Sequence, residues 1–213
     1  MFDPKADTVN SQNMPSVVQT KEIREAILDA TDHLLSSYGY KKMTIDDLAR
    51  EVGIGKGSVY LHFASKEEIA LSHIDRIVER VKAELNAIAD SDVSPIEKIK
   101  RMIAARVLMR FDSVQHYTRN LNDLLADLRP KLLARRKKYF VEEAAIFVKV
   151  VERGQAAGNF KAGDATEIVE TILLATNSLL PFSLTARELG ERAEIEEKTM
   201  RLANLLLEGL AKT

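Results

Sequence analysis

The chain has 213 residues and a formal net charge of −1 at pH 7, with 46% hydrophobic and 30% charged residues. We expect a cytoplasmic protein with a buried core, because no run of 18 apolar residues could cross a membrane and no basic-then-apolar secretory signal begins the chain. The absence of cysteine excludes disulfides, thiol nucleophiles and thiolate metal sites.

The first predicted helix follows a segment without regular pattern. Residues 1–18 show no apolar period and are predicted to form a flexible N-terminal arm. From residue 20 onward, apolar side chains recur at spacings of three and four, which predicts an amphipathic helix over about 20–38. Gly39 is expected to end this helix, because glycine enters the left-handed backbone region at low cost.

Capping pairs indicate where further helices begin. Each pair places Ser, Thr or Asp three residues before an acidic residue, so that both side chains can accept hydrogen bonds from backbone N–H groups. The pairs are Thr44–Asp47, Ser65–Glu68, Ser94–Glu97 and Asp164–Glu167. Pro95 and Pro130 also suit the first position of a helix. The predicted fold is all-α, with further helices over about 45–51, 56–63, 66–89, 95–111, 116–127, 130–156, 164–182 and 188–211.

The last two predicted helices carry more apolar surface than one bundle is expected to cover. The helix over 164–182 is apolar around most of its circumference, and the final helix has a broad apolar face that includes Leu202, Leu205 and Leu206. Burial against a second copy of the chain is the simplest solution, so a homodimer through these helices is predicted. A thick intramolecular core is the alternative.

The stretch EVGIGKGSVYLHF, residues 51–63, contains three glycines, a lysine and a serine. A phosphate-binding P-loop needs Gly-Lys-Ser/Thr after a strand, whereas Gly-Lys-Gly-Ser here follows a predicted helix. The dinucleotide-binding glycine pattern fails on spacing as well. A tight turn between two helices explains the glycines better, with Gly53 in the left-handed region. Val59 and Phe63 lie four residues apart and are predicted to form the buried face of the second helix.

Two helices joined by such a turn form a helix-turn-helix, whose second helix would read DNA. Lys56 begins that helix and can reach a base or a phosphate, while Gly57 allows a close approach to the duplex. Thr44 offers a hydroxyl and an N–H at the start of the preceding helix, and Lys66 begins the next helix. The predicted DNA contacts are Thr44, Lys56, Gly57, Ser58, Tyr60, Leu61, His62 and Lys66. From these residues alone, a plain helical hairpin remains the alternative.

The charge balance of this region does not favour DNA. Residues 19–70, called the N-terminal unit below, contain seven Lys and Arg and nine Asp and Glu, a net charge of −2. Any attraction to phosphates must therefore come from the local placement of charge.

Residues 20–70 resemble the DNA-binding domain of the tetracycline-repressor (TetR) family of bacterial regulators. The sequence ILDATDHLLSSYGYKKMTIDDLAREVGIGKGSVYLHFASKEEI carries the resemblance, most specifically at Gly39–Tyr40, Thr44, Leu48–Ala49, Gly53, Gly57, Val59–Tyr60, His62–Phe63 and Ser65–Lys66–Glu67. Gly55 departs from the pattern, because the family usually has Ser or Thr there as the cap of the recognition helix. Any phosphate contact from that hydroxyl would be absent.

The resemblance implies a homodimeric transcriptional regulator, most often a repressor, that binds a palindromic operator in double-stranded DNA. Residues 19–66 would form the DNA-binding domain, and residues 67–213 a helical ligand-binding and dimerisation domain. A small-molecule effector in the larger domain would shift the helix over about 66–89 and change the spacing of the two recognition helices. The alternative is control by a protein partner, or no small-molecule effector.

Charged residues interrupt the apolar faces of two helices in the larger domain. Arg106 and Arg110 lie among apolar positions of one helix, and Arg136 and Glu143 lie among those of another. Because a buried charge needs a partner or a polar cavity, the arginines are hypothesised to border a pocket for an amphiphilic effector with an anionic part. The predicted contacts are Met102, Arg106, Arg110, Arg136, Tyr139, Phe140, Glu143 and Phe147. The alternative is that the arginines reach solvent or pair with carboxylates of neighbouring helices.

Other sequence features suggest little further chemistry. The basic run RPKLLARRKK, residues 129–138, could contact nucleic acid, but a solvated helix face is the simpler interpretation. The histidines, at positions 33, 62, 73 and 116, show no paired spacing on one helix face, so neither a metal site nor a cofactor is expected. No motif for nucleophilic catalysis is visible, which disfavours an enzyme; a lipid carrier is a further alternative.

Overall fold

The computed structural model describes residues 17–115, 118–181 and 190–211, without the side chains of 17–18 and 118–125. The predicted arm up to residue 16, His116 and the predicted start of the last helix lie outside these residues. The described chain folds into eight helices: α1 Val17–Lys42, α2 Ile45–Val52, α3 Lys56–His62, α4 Lys66–Asp90, α5 Pro95–Val114, α6 Thr118–Ala156, α7 Ala165–Asn177 and α8 Arg192–Leu210. The all-α prediction is confirmed. Among the described helices, none has the length and apolar character that crossing a bilayer requires.

The local signals place the helix ends correctly. Gly39 has non-helical dihedral angles, φ 77° and ψ 167°, and interrupts α1 as predicted, although helical backbone resumes after it and α1 ends at Lys42. Thr44 and Asp47 form the complete reciprocal capping box at the start of α2. Ser65, Ser94 and Asp164 accept hydrogen bonds from backbone N–H groups at the starts of α4, α5 and α7. Pro95 occupies the first turn of α5. These ends depend on contacts within four residues, which a sequence reveals directly.

Two predicted helix boundaries are wrong. The helices predicted over 116–127 and 130–156 form one helix, α6, which continues through Pro130. A proline removes one backbone hydrogen bond and clashes with the preceding turn, but a helix held by packing can continue past it. Leu128 and Leu132, on either side of this proline, are both buried. At the other end of the domain, α7 ends at Asn177 rather than 182, because Pro181 disfavours helical backbone at the residue before it.

Buried side chains form two neighbouring cores. The first joins α1, α2, α3 and the start of α4, and it also includes Val107 and Phe111 of α5 and Leu132 of α6. The second joins the rest of α4 to α5, α6, α7 and α8. The N-terminal unit is therefore packed directly onto α5 and α6 rather than connected through α4 alone.

The loop after α6 closes the far end of the second core. Phe160 is buried, and the backbone N–H of Lys161 donates to the carbonyl of Leu210 at 3.0 Å, which ties the loop to the end of α8. Gly154 lies so close to the Phe160 ring that an added Cβ would overlap it. Glycine is thus required there by packing alone.

Candidate functional site

The turn between α2 and α3 is built as the glycine pattern predicts. Gly53 has φ 74° and ψ 29°, in the left-handed region, and its N–H donates to the carbonyls of the last turn of α2. The N–H of Ile54 donates to the carbonyl of Ala49 at 2.9 Å. Ala49 is buried, so the two helices approach closely over a small side chain. The turn fixes α3 at one angle relative to α2.

Helix α3 separates a buried face from an exposed one. Val59 and Phe63 are 0% and 3% exposed and belong to the first core, as predicted. On the opposite face, Leu61 is 82% exposed and Tyr60 50% exposed. The other predicted contacts on this helix are also accessible: Lys56 and Gly57 are exposed, and Ser58 and His62 are partly exposed. Tyr60 and Leu61 together leave two adjacent large apolar side chains accessible on this face of α3.

The fold itself does not require glycine at positions 55 and 57. Gly55 caps α3 with φ −74° and ψ 148°, an extended conformation open to any residue. A Cβ added at Gly55 or Gly57 would meet no atom within 4 Å. Glycine inside a helix costs about 1 kcal/mol relative to alanine, so Gly57 weakens α3 without any gain in packing. Its absent side chain leaves room on the exposed face of the helix.

Two predicted DNA contacts have partners within the protein. Lys56 donates from Nζ to the Asp46 carboxylate at 2.8 Å, and both side chains are about half exposed. This hydrogen bond raises the pKa of Lys56. The Thr44 hydroxyl donates to the Asp47 carboxylate at 2.6 Å, and the backbone N–H of Thr44 donates to the same group. A phosphate would have to compete with Asp46 and Asp47 for these donors.

Lys66 is directed toward Tyr40 rather than along the exposed face of α3. Its Nζ donates to the Tyr40 carbonyl at 3.0 Å and lies 4.5 Å from the centroid of the Tyr40 ring. The lysine thus connects the start of α4 to the last turn of α1. Its predicted DNA contact would require it to leave a satisfied position.

Acidic side chains of the N-terminal unit pair with cations supplied by α4 and α6. Arg76 of α4 contacts Asp29 at 2.7 Å and Glu25 at 3.3 Å. From α6, Lys131 contacts Glu67 at 2.6 Å. Arg135, also on α6, contacts Glu68 at 2.9 Å and also pairs with Asp75. The basic run over 129–138 is therefore more than a solvated face, because two of its cations dock on the acidic side of α4.

A second group of charges is buried between α5, α6 and α7. Arg106 is 3% exposed and donates from Nε to the Glu143 carboxylate at 2.7 Å. Its two other nitrogens donate to Thr176 Oγ1 at 2.9 Å and to Asn177 Oδ1 at 2.7 Å. Arg110 donates to the other oxygen of Glu143 and to the Arg106 carbonyl. Burial lowers the pKa of Arg106 to about 10, although Glu143 acts against this shift.

The other predicted effector contacts differ in how deeply they are buried and in what they contact. Met102 and Phe147 are fully buried in the second core. Tyr139 is buried and donates its hydroxyl to Asp75 of α4. Phe140 is partly exposed, and so is Arg136, whose pKa is lowered by its own burial and by Arg129. The structure thus shows Arg106 and Arg110 paired with a carboxylate, the alternative that sequence left open.

The sequence interpretation missed the hydrogen-bond acceptors on α7. Thr176 is 0% exposed and Asn177 ends the helix, yet neither was singled out. The available signal was a threonine within an otherwise apolar helix. This signal is ambiguous, because a threonine hydroxyl can also donate to the backbone of its own helix, as that of Thr176 does to the carbonyl of Ile172. Elsewhere, no group of three or more His, Asp or Glu among the described residues could hold a metal ion.

Comparison with known proteins agrees with this arrangement. Residues 27–72 match the family model for bacterial regulatory proteins of the tetR family. An uncharacterised HTH-type transcriptional regulator from Lactococcus lactis is 38% identical over 88 residues, which span 41% of this chain and 45% of that protein. The HTH-type transcriptional repressor KstR2 of Mycobacterium tuberculosis is 23% identical over 185 residues, 82% of this chain and 90% of that protein.

The similarity in fold to known proteins covers more of the chain than the N-terminal unit. A transcriptional regulator from Cytophaga hutchinsonii has a TM-score of 0.75 at 21% identity, covering 88% of this chain and 98% of that chain. The similar proteins are transcriptional regulators rather than enzymes. Residues 27–72 thus match the tetR family of bacterial regulatory proteins, and the chain, with an exposed α3 and the fold of such regulators, is a DNA-binding regulator.

Proposed function

We propose that the protein is a homodimeric transcriptional repressor that binds a palindromic operator and is released from it by a small-molecule effector. Residues 19–66 would bind DNA in the cytoplasm, where the chromosome lies, and residues 67–213 would dimerise and bind the effector. The observation that carries the proposal is the exposed face of α3, with Leu61 in solvent and Gly57 required by no contact within the protein.

In this proposal α3 enters the major groove. Lys56, Ser58 and His62 would donate to phosphates or base edges, and Leu61 could contact a thymine methyl group. Gly57 would let the helix backbone approach the duplex. Tyr60 and Thr44 would contact the flanking phosphates, and Lys66 would hold α4 against the segment that precedes α2 while lying near the backbone of the DNA.

The test begins with genomic fragments that the purified protein retains, which are sequenced to define an operator. Lys56→Ala should then weaken operator binding about tenfold and reduce the slope of log K against log salt by about 1, as for the loss of one phosphate contact. Arg153→Ala is the matched control, because Arg153 is an exposed cation near the end of α6, away from α3 and from the proposed dimer helices, and lies 3.8 Å from Asp90. Unchanged affinity and salt slope for Lys56→Ala would refute the recognition assignment.

The proposed dimer uses α7 and α8. Leu174 of α7 and Leu205 of α8 are 62% and 67% exposed, and Leu202 and Leu206 are partly exposed beside them. A second copy related by a two-fold axis would bury this surface and would also set the distance between two copies of α3. Leu205→Glu should convert the dimer to a monomer in sedimentation velocity and abolish binding to a two-half-site operator. Val141→Glu, on an exposed position of α6, is the control.

A further inference from the structure

We propose that Arg106 and Arg110 form the anion-binding part of the effector site, and that the effector is an amphiphile with one carboxylate. This inference rests on the proposed function, because it names the effector's chemical class and the residues that hold its charged end.

Charge balance is the first reason. Within the described residues, the ion pairs of Arg106 and Arg110 both lead to Glu143, which is 1% exposed. Two guanidinium groups thus share one carboxylate inside the protein and leave one positive charge there. An uncompensated buried charge is costly, and an additional anion would remove that cost.

The electrostatic surroundings act in the same direction. Burial lowers the pKa of Arg106 most, and the charges of Arg110 and Arg136 lower it further against the opposing effect of Glu143, so two other arginines lie close enough to act on Arg106. Arg136 and Glu143 are seven residues apart on α6, which places them on one face of the helix, two turns apart. Three positive charges against one carboxylate in this region favour the binding of an anion.

The donors suit a carboxylate. A guanidinium presents a planar fork of N–H groups that matches the two oxygens of a carboxylate, and Glu143 already accepts from both arginines. Arg110 is the more accessible of the pair, with 8% of its side chain exposed against 3% for Arg106. We assign the contact with the effector carboxylate mainly to Arg110, while Arg106 stays fixed by Thr176 and Asn177.

The side chains that flank the charged cluster are apolar. Met102 precedes Arg106 by one turn of α5, and Phe147 follows Glu143 by one turn of α6, so both lie on the same helix faces as the charges. Both side chains are fully buried in the second core. An anion that enters here would bring an apolar part with it, hence an amphiphile rather than an inorganic ion.

The test measures binding of sodium octanoate and 1-octanol by isothermal titration calorimetry at constant ionic strength. The wild type should bind octanoate at least tenfold more tightly than 1-octanol. Arg110→Gln should weaken octanoate binding at least tenfold, and Glu143→Gln should tighten it at least tenfold, because it removes the competing negative charge. Arg153→Gln, at an exposed position near the end of α6, should bind octanoate as the wild type does.

The Glu143→Gln arm keeps the test meaningful if Arg110→Gln is poorly folded, since misfolding cannot tighten binding. The proposal is overturned if octanoate does not bind, if octanoate and 1-octanol bind equally, or if both substitutions leave octanoate binding unchanged. Operator binding without octanoate is measured in parallel on the same proteins. If the wild type does not bind an operator in the absence of octanoate, the proposed function is refuted. The proposal of an anion site is decided only by the octanoate measurements.

Discussion

Replacing Gly57 with alanine should stabilise the protein and weaken its binding to DNA. Gly57 lies inside α3 with ordinary helical backbone, and an added Cβ would meet no atom within 4 Å. The substitution therefore adds helix propensity without overlap, which is worth up to about 1 kcal/mol, the value for a helix interior, because Gly57 lies in the first turn of α3. For a protein of this size, that corresponds to a rise of up to about 2–4 °C in the midpoint of thermal unfolding.

The same methyl group would stand on the exposed face of α3, where the proposed duplex approaches. If the DNA backbone or a base edge packs against Gly57, a displacement of the helix should weaken operator binding about tenfold or more, which corresponds to at least about 1.4 kcal/mol. Thermal unfolding followed by circular dichroism measures the first effect. Fluorescence anisotropy with a labelled operator measures the second.

Gly55→Ala provides the matched control. Gly55 is the N-cap of α3, where alanine is less favourable than glycine, so this substitution should lower stability slightly rather than raise it. If Gly57→Ala lowered the unfolding midpoint, the glycine would be required by the fold. If it raised the midpoint and left operator affinity unchanged, α3 would not approach DNA closely at this position. Either result would refute the reasoning.

Three further substitutions test other parts of the structure. Asp46→Asn removes the carboxylate that holds Lys56 and should tighten operator binding about threefold to tenfold in the anisotropy assay; unchanged affinity would show that the pair does not compete with DNA. Gly154→Ala places a methyl group against the buried aromatic ring of the loop after α6 and should destabilise the protein by about 1–3 kcal/mol in urea unfolding. Asp32 lies 3.3 Å from Nε2 of buried His73, and that contact holds the pKa of Asp32 below its usual value of 3.8. The contribution of Asp32 to the free energy of unfolding is present above about pH 4 and is lost as the pH falls through the lowered pKa. Asp32→Asn should therefore make the free energy of unfolding depend less on pH below about pH 4. The expected change is less than about 1 kcal/mol, because the Asp32 side chain is half exposed.

The sequence predicts the α2–turn–α3 region well because its determinants are local. The capping box at Thr44, the left-handed Gly53 and the buried Val59 each follow from residues within one or two helical turns. Longer-range packing is harder to foresee. Pro130 predicts a helix start by its own chemistry, and only the burial of leucines on both sides of it explains why α6 continues.

Side-chain partners were the least predictable part of the candidate site. The sequence shows that Arg106 needs a partner, but Glu143 lies 37 residues away and Thr176 lies 70 residues away. Three helices must pack before these groups meet. Likewise, the pairing of Lys56 with Asp46 depends on the angle of the turn between their helices, which periodicity does not give.

The ion pairs that join the N-terminal unit to α4 and α6 limit how well this unit would function when attached to another protein. Taken alone, residues 19–70 carry a net charge of −2, which would repel a polyanion. Arg76, Lys131 and Arg135, all outside this segment, contact four of its carboxylates and more than offset that charge. A chimera in which this segment is joined to the effector domain of another protein would lose those cations. Its four carboxylates would then lack these partners and would repel the DNA phosphates. Operator specificity should therefore be easier to transfer by grafting the outer residues of α3 than by exchanging the whole segment.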